Sequence, residues 1–198
     1  NKIQPENQDL VLESMAKNLP EGVLTAAIPM NPALGNPSMR EIVEAVEGKV
    51  LFGEEGMERQ VAHYGVGAMQ LRNYLTHLRD HTLVITPGDR ADLILGALQA
   101  HQSANYPPIS GIVLTGGLLP EDSIIKLIEG LSEVVPIVSA SGGTFAVANQ
   151  VGPIHPRIYP GNTRRIEQSL KDFATYVPEE ELAQRLVTFQ AEGITPRM

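Results

Sequence analysis

Three polar clusters hold the residues of this sequence that could bind a ligand. Each cluster follows an apolar run and precedes a helical pattern, so each is predicted at a strand-to-helix junction. The clusters comprise Gly88, Asp89, Arg90 and Asp92, then Thr115, Gly116 and Gly117, and last Ser139, Ser141 and Thr144. Arginine offers a planar fork of donors that fits a carboxylate or a phosphate, and adjacent glycines can form a nest of amides around an anion. Together the clusters predict a crevice for a small anionic or nucleotide-like ligand, or for the arginine of a second copy.

Each cluster also has a purely structural interpretation. Asp89 at a helix start can cap exposed amides and meet the favourable end of the helix dipole. Arg90 could pair with Asp92 or with a neighbouring loop, instead of with a ligand or another subunit. The Thr115–Gly117 segment could be a tight turn ahead of Pro120. The sequence leaves both interpretations open.

A fourth segment of interest is built from small residues. Its members, at the positions where another backbone could come close, are Gly65, Gly67, Ala68 and Met69. The close approach could take place within the fold or across a dimer interface, and we carry both alternatives forward.

Patterns typical of catalysis or metal binding do not accompany these clusters. The sequence contains no Gly-x-Ser-x-Gly nucleophile motif, no Gly-x-x-x-x-Gly-Lys-Ser/Thr phosphate-binding loop and no cysteine. His77 and His81 are four residues apart, but they straddle a predicted helix end and are expected on the surface. We therefore expect no catalytic residue, no metal site and no cofactor in this chain.

Composition narrows the class of protein further. The chain has 198 residues and a net charge of −8, which argues against a nucleic-acid partner because such a partner needs a basic surface. No apolar run approaches the roughly 20 residues of a membrane span, and no signal-peptide pattern is present. These features predict a soluble, cytoplasmic protein without a membrane partner.

The elements that must position the clusters follow from the apolar pattern. Strands are predicted over 23–28, 49–52, 82–86, 111–115 and 134–138, with a short strand or turn over 64–69 and a final β-like segment at 157–159. Helices are predicted over 7–18, 70–80, 90–102, 121–131, 163–175 and 179–191, with a short one after Gly143 and one begun by a capping box of Ser38 and Glu41.

Strands that alternate with helices at this pitch predict parallel βαβ units. The expected fold is α/β, a three-layer α/β/α domain with a mostly parallel sheet. Right-handed crossovers should then bring Asp89, Thr115 and Ser139 to the same edge of the sheet. Ligands of open α/β sheets bind at that edge.

The spacing of Thr86–Asp92 and Leu114–Gly117 resembles the DRTGG domain. That family occurs within long-form phosphate acetyltransferases and beside regulatory domains of some pyrophosphatases, and it is similar to the N-terminal domain of HPr kinase/phosphorylase. The resemblance implies a module for binding and assembly more than for catalysis. The family usually carries Asp or Asn in the third loop, where Ser141 and Gly142 stand in this sequence, so a family role for that acid does not transfer.

Two flanking resemblances predict the domain organisation. Residues 23–52 are similar to the tail of a dethiobiotin-synthetase-like P-loop domain, and 194–198 to the linker that leads into an acyltransferase domain. The expected domains are a P-loop remnant over 1–53, the DRTGG domain over 54–178 and a linker helix over 179–198.

The resemblance implies a regulatory and oligomerising domain of a phosphate acetyltransferase, whose reaction converts acetyl-CoA and phosphate to acetyl phosphate and CoA. The implied partners are a second copy of the chain, the flanking P-loop and acyltransferase domains, and a small anionic effector. Two alternatives stay open: a stand-alone nucleotide sensor paired with a P-loop protein, and an enzyme that acts on a phosphorylated metabolite at the Asp89/Arg90 crevice.

Overall fold

The structure is a computed structural model that describes residues 2–156, 158–159 and 162–188. These residues fall into two compact units, one formed by 36–157 and the other by 1–35 together with the described residues from 158 onward. The predicted DRTGG domain was expected to begin at residue 54. The strand over 49–52, which precedes that residue, belongs to the sheet of the 36–157 unit.

Strands and helices alternate along the chain from residue 63 to residue 151. The strands are β1 (Lys49–Phe52), β2 (His63–Val66), β3 (Thr82–Pro87), β4 (Ile109–Thr115) and β5 (Ile137–Ser139). The helices are α1 (Gln8–Asn18), α2 (Pro32–Gly35), α3 (Met39–Ala45), α4 (Leu71–Leu75), α5 (Ala91–Gln102), α6 (Asp122–Glu129), α7 (Thr144–Val151), α8 (Thr163–Tyr176) and α9 (Glu179–Thr188). Short 3-10 turns cover Pro5–Asn7 and Glu54–Gly56.

The 36–157 unit is built on a five-stranded sheet in the order β1-β5-β4-β3-β2. Strands β2 to β5 are parallel, and β1 pairs antiparallel with β5. Every residue of β4 is buried. Continuous burial of this kind is typical of a parallel sheet that is covered on both faces.

Two apolar clusters cover the two faces of the sheet. The first joins Val84 and Leu114 to residues of α4, α5 and α6, and the second joins Leu83 and Ile85 to residues of α3 and α7. The unit is therefore a three-layer α/β/α domain with a mostly parallel sheet, and the sequence prediction of the fold is confirmed. Helix α5 packs against the sheet through Leu93 and Ala97, which are both fully buried.

The helix α3 begins as the sequence predicted. The Glu41 amide donates to Ser38 Oγ over 3.4 Å, and the Ser38 amide donates to Glu41 Oε2 over 2.8 Å. These two reciprocal bonds form the capping box, which satisfies amides that the first helical turn leaves unpaired.

The second unit contains α1, α2, α8 and α9. Asn31 Nδ2 donates to Asp172 Oδ2 over 2.7 Å and links the region of α2 to α8. The predicted strand over 23–28 is wrong, because that segment pairs at a single point. The Ile3 amide donates to the Ile28 carbonyl and the Met30 amide to the Ile3 carbonyl, at 3.2 and 2.7 Å. An extended segment without a longer partner forms an isolated bridge only.

Smaller corrections have local causes. Strand β5 starts at Ile137 and not at residue 134, since Pro136 has no amide to donate to a ladder. Helix α4 ends at Leu75, well before the predicted residue 80. In α6, Leu127 is 56% exposed, whereas Ile128 beside it is fully buried.

The ends of two predictions lie outside the described residues. Helix α9 is described to Thr188, so the predicted stretch 189–191 and the predicted linker at 194–198 lie beyond it. Of the predicted segment 157–159, the described residues 158 and 159 are not in a strand. Within the described part of the chain, no helix is both long enough and apolar enough to cross a membrane.

Candidate functional site

The carboxyl ends of β3, β4 and β5 meet at one edge of the sheet. In the register of the strands, Pro87 lies opposite Thr115, and Leu114 lies opposite Ser139. Asp89 follows β3 directly, so the structure places Asp89, Thr115 and Ser139 at the same edge, as the sequence predicted. The three loops that begin at this edge are called the edge loops below: 88–90, 116–121 and 140–143.

Arg90 makes its hydrogen bonds within the chain. Its Nε and Nη2 donate to Asp92 Oδ1 and Oδ2, each over 2.9 Å, and Nη2 also donates to the Met69 carbonyl over 3.1 Å. The hydrogen bond between the two side chains raises the pKa of Arg90 and lowers the pKa of Asp92. Of the alternatives left by the sequence, the structure shows the intrachain one, with both Asp92 and the 65–69 segment as partners.

Asp89 does not cap helix α5, so that prediction is wrong. The helix begins at Ala91 and its N-cap residue is Arg90, which leaves Asp89 one residue too early to reach the free amides. Asp92 lies in the first turn instead, and backbone hydrogen bonds at Leu93 and at Asp92 itself help to lower the pKa of its carboxyl. The acidic residue that meets the favourable end of the helix dipole is Asp92.

The loop after β4 is bonded to the loop after β5. Gly116 and Gly117 have φ angles of 79° and 66°, a conformation that favours glycine. Their amides donate to the carbonyls of Gly142 and Ala140 over 2.8 and 3.0 Å. The sequence suggested that these amides could bind an anion, but in the structure they hold two edge loops together.

Side chains reinforce this backbone contact. Thr115 Oγ1 lies 2.7 Å from Thr144 Oγ1, so one hydroxyl donates to the other. Ser139 is partly buried at the end of β5, and Ser141 is exposed in the loop that follows. Of the hydroxyls predicted for the site, the structure therefore brings Thr115 and Thr144 together and leaves Ser141 open to solvent.

Gly88 and Gly67 permit two close approaches within the fold. A Cβ atom at Gly88 would lie 1.9 Å from the Leu118 carbonyl oxygen, so the first two edge loops touch through their backbones. A Cβ atom at Gly67 would lie 2.7 Å from Leu93 Cδ1 and 3.2 Å from Thr86 Oγ1. The close approach predicted for the 65–69 segment therefore takes place inside the domain at Gly67. Ala68 follows directly, and Met69 is 45% exposed.

Sequence reasoning missed two residues near the sheet. Thr86 is fully buried at the end of β3, and its Oγ1 has no hydrogen-bond partner among the described residues. His101 Nδ1 accepts a hydrogen bond of 3.2 Å from the Ile109 amide, and burial, with a smaller effect of Arg59, lowers the pKa of its imidazole. The one sequence signal that could have indicated the role of His101 is its position in the last turn of a helix, ahead of a buried strand.

No group of three or more His, Asp or Glu side chains that could hold a metal ion occurs in the part of the chain that the structure describes. The edge loops offer the Ser141 hydroxyl, the carboxylates of Asp89 and Glu121, and the Arg90 guanidinium, which is already paired.

Two known proteins match almost the whole of this chain in sequence. The chain is 36% identical over 200 residues to the phosphate acetyltransferase of Synechocystis sp., covering 100% of this chain and 29% of that protein. It is 34% identical over 197 residues to the phosphate acetyltransferase of Nitratidesulfovibrio vulgaris, covering 98% of this chain and 28% of that protein. The chain therefore spans less than a third of the length of these relatives.

A solved structure and a family profile complete the comparison. The CBS and DRTGG domains of the regulatory region of Clostridium perfringens pyrophosphatase, in complex with the activator diadenosine tetraphosphate, match with a TM-score of 0.47 and 18% identity. That match covers 73% of this chain and 57% of the other. The sequence profile of the DRTGG domain matches residues 41–153, which is more than half of the chain. The chain belongs to the DRTGG domain family.

Proposed function

We propose that this chain is a regulatory and assembly part of a phosphate acetyltransferase and does not transfer acetyl groups itself. The observation that carries the proposal is the extent of the two leading matches. They take in 98% and 100% of this chain, yet only 28% and 29% of the two acetyltransferases. More than two thirds of each relative is left to hold its other domains, which we take to include the flanking P-loop and acyltransferase domains. We place the assembly in the cytoplasm.

The edge loops support an assembly role over a catalytic one. Arg90 is bonded to Asp92 and Met69, and the amides of Gly116 and Gly117 are bonded to the neighbouring loop. Because these groups already bond one another, they hold the edge loops in fixed positions. An acid–base catalyst, by contrast, needs a group that is placed to exchange a proton with a substrate. The exposed Ser141 offers a hydroxyl to a small anionic effector, whereas the exposed carboxylates of Asp89 and Glu121 suit donor groups of a partner domain.

We place the self-association contact along β2. This strand is the last in the sheet order, and the side chains of Tyr64, Val66 and Met69 beside it are 46%, 38% and 45% exposed. An exposed edge strand is a ready template for pairing with another strand. A two-fold axis next to β2 would pair the strand antiparallel with its copy, and two-fold dimers are the commonest oligomers. Arg90 orders the segment that follows β2 through its hydrogen bond to the Met69 carbonyl.

A deletion and a graft in the Synechocystis acetyltransferase test the proposal. We expect removal of the 200-residue region that matches this chain to lower the mass of the enzyme assembly. The formation of acetyl phosphate from acetyl-CoA and phosphate should persist in the remaining protein. Insertion of the present chain at the same place should restore the mass. An unchanged mass after the deletion would contradict the assembly role.

The purified chain gives a second, independent readout. We expect it to form acetyl phosphate no faster than a control without enzyme, with the intact acetyltransferase assayed in parallel as the positive control. Turnover well above the blank would refute the non-catalytic part of the proposal.

A further inference from the structure

A second feature of the 36–157 unit is a cleft beside β2. It has a volume of about 400 Å³ and opens between β2, helix α4 and the turn that follows α4. Its size falls within the range of small-molecule sites, roughly 300–1,000 Å³. The residues that the argument uses are His63, Gly65, Tyr74, His77, Arg79 and Thr82.

The cleft is lined by basic and no acidic side chains, although the chain as a whole has a net negative charge. The chain carries 23 acidic residues and a net charge of −8, yet none of the residues that line the cleft is Asp or Glu. The lining includes the guanidinium of Arg79 and the imidazoles of His63 and His77, all three exposed. Among the described residues, none accepts a hydrogen bond from these three side chains or pairs with their charge. An unpaired guanidinium that lines a cleft together with two imidazoles is suited to a phosphate or carboxylate group.

The floor of the cleft is built from buried groups. Tyr74 and Thr82 are 4% exposed, and the Tyr74 hydroxyl lies 3.5 Å from the Gly65 carbonyl oxygen. A Cβ atom at Gly65 would lie 3.3 Å from that hydroxyl and 3.8 Å from Thr82 Cγ2, so glycine keeps the floor open. Burial raises the pKa of Tyr74 to about 12, so its hydroxyl keeps its proton. The hydroxyl is thus a donor held at long distance from its present acceptor.

We propose that this cleft binds a phosphorylated small molecule, with the phosphate group held by Arg79, His63 and His77. The Tyr74 hydroxyl provides a further donor at the floor, and the exposed apolar side chains of Val66 and Met69 border the rest of the ligand. Met69 also accepts the hydrogen bond from Arg90, so an occupied cleft lies next to the edge at which we place self-association.

Titration of the ¹⁵N-labelled chain with inorganic phosphate, at constant ionic strength set by chloride, tests the site. We expect saturable shifts of the amide signals of 63–66, 76–79 and Thr82. Arg79→Ala should weaken binding at least tenfold, whereas Arg72→Ala should leave it unchanged. Arg72 is the matched control, since it is an exposed arginine on α4 that does not line the cleft.

Phenyl phosphate serves as the larger probe in the same experiment. We expect it to shift the same amides and to bind more tightly than inorganic phosphate, because its ring buries apolar surface against Val66 and Met69. Thermal unfolding of both variants checks that each is folded. The proposal is overturned if phosphate shifts do not saturate, if they lie elsewhere, or if both arginine variants weaken binding equally. Tighter binding of inorganic phosphate than of phenyl phosphate would overturn the assignment of the apolar border to the ligand.

The cleft and the proposed self-association contact share Tyr64, Val66 and Met69, but separate measurements test them. The mass of the chain in solution measures self-association without any ligand, whereas the titration measures phosphate binding whatever the mass.

Discussion

Arg90 is the residue on which the two interpretations of the first cluster differ most. The structure gives its guanidinium two bonds to Asp92 and one to the Met69 carbonyl. Arg90 and Asp92 keep 32% and 48% of their side-chain surface exposed. An exposed ion pair of this kind contributes roughly 0–1 kcal/mol to stability. Its main effect is therefore local, on the position of the 65–69 segment.

Replacement of Arg90 should thus change local order more than stability. We expect Arg90→Ala to lower the free energy of unfolding by roughly 0–1 kcal/mol, and to speed hydrogen exchange of the amides at 67–69. Arg90→Lys keeps the charge but cannot bond both oxygens of Asp92, so exchange should also quicken in that variant. Hydrogen exchange read by mass spectrometry or NMR is the measurement. Unchanged exchange at 67–69 in both variants would show that the bond to Met69 does not order the segment.

His101 should make the stability of the domain depend on pH. Burial holds the pKa of its imidazole below the value of 6.5 that it has when exposed, so the unfolded chain binds a proton more readily than the folded one. The stabilising contribution is complete above pH 6.5 and is lost as the pH falls through the lowered pKa of the folded state. We expect urea denaturation from about pH 7.5 to about pH 5 to show a steeper loss for the wild type than for His101→Gln. Parallel curves would contradict the assignment.

At the scale of elements, the edge loops are held by backbone contacts that only glycine permits. We expect Gly88→Ala to cost about 1–3 kcal/mol of stability through overpacking, because its Cβ would meet the Leu118 carbonyl oxygen at 1.9 Å. Gly130→Ala is the control within the same unit, since its nearest contacts would be at an ordinary 3.6 Å and its φ is −79°. Chemical denaturation of both variants measures the difference in their stability. Equal midpoints for the two would argue against the close approach.

The sequence predicts an element well when the residues of that element determine it, and poorly when it depends on a distant pairing partner. The bounds of β3 and β4 were predicted within a residue or two, because β-branched runs between turns are typical of buried strands. The capping box was predicted from Ser38 and Glu41 alone. The segment 23–28 shows the same pattern but has no long pairing partner, which is a property of the fold and not of the segment. Likewise, Gly116 and Gly117 could be identified as turn residues, but the sequence could not tell whether their amides face a ligand or the next loop.

The same limit applies to the candidate site. Parallel βαβ order was enough to predict that Asp89, Thr115 and Ser139 share one edge. It could not predict that Arg90 turns back toward Met69, because that bond joins residues 21 positions apart across two elements. The cleft beside β2 was missed altogether, since His63, His77 and Arg79 come from a strand, a turn and a loop whose packing no local pattern encodes.

At the scale of the whole molecule, our proposal places the association of copies at the edge strand β2. Val66 is exposed beside β2, and lysine on an edge strand is a common means of preventing strand pairing in natural proteins. We expect Val66→Lys to convert a dimer into a monomer. Leu127→Lys is the matched control, because Leu127 is 56% exposed on α6, away from β2. Gly67→Val is less suitable, since its side chain would collide with Leu93 inside the domain.

The mass of the purified chain in solution tests the assembly role most directly. Light scattering over a concentration series up to high micromolar should give a weight-average mass that approaches twice the 21.4 kDa of one chain. Val66→Lys should stay near 21.4 kDa, and Leu127→Lys should follow the wild type. A wild-type chain that stays at 21.4 kDa over the whole series would contradict the account.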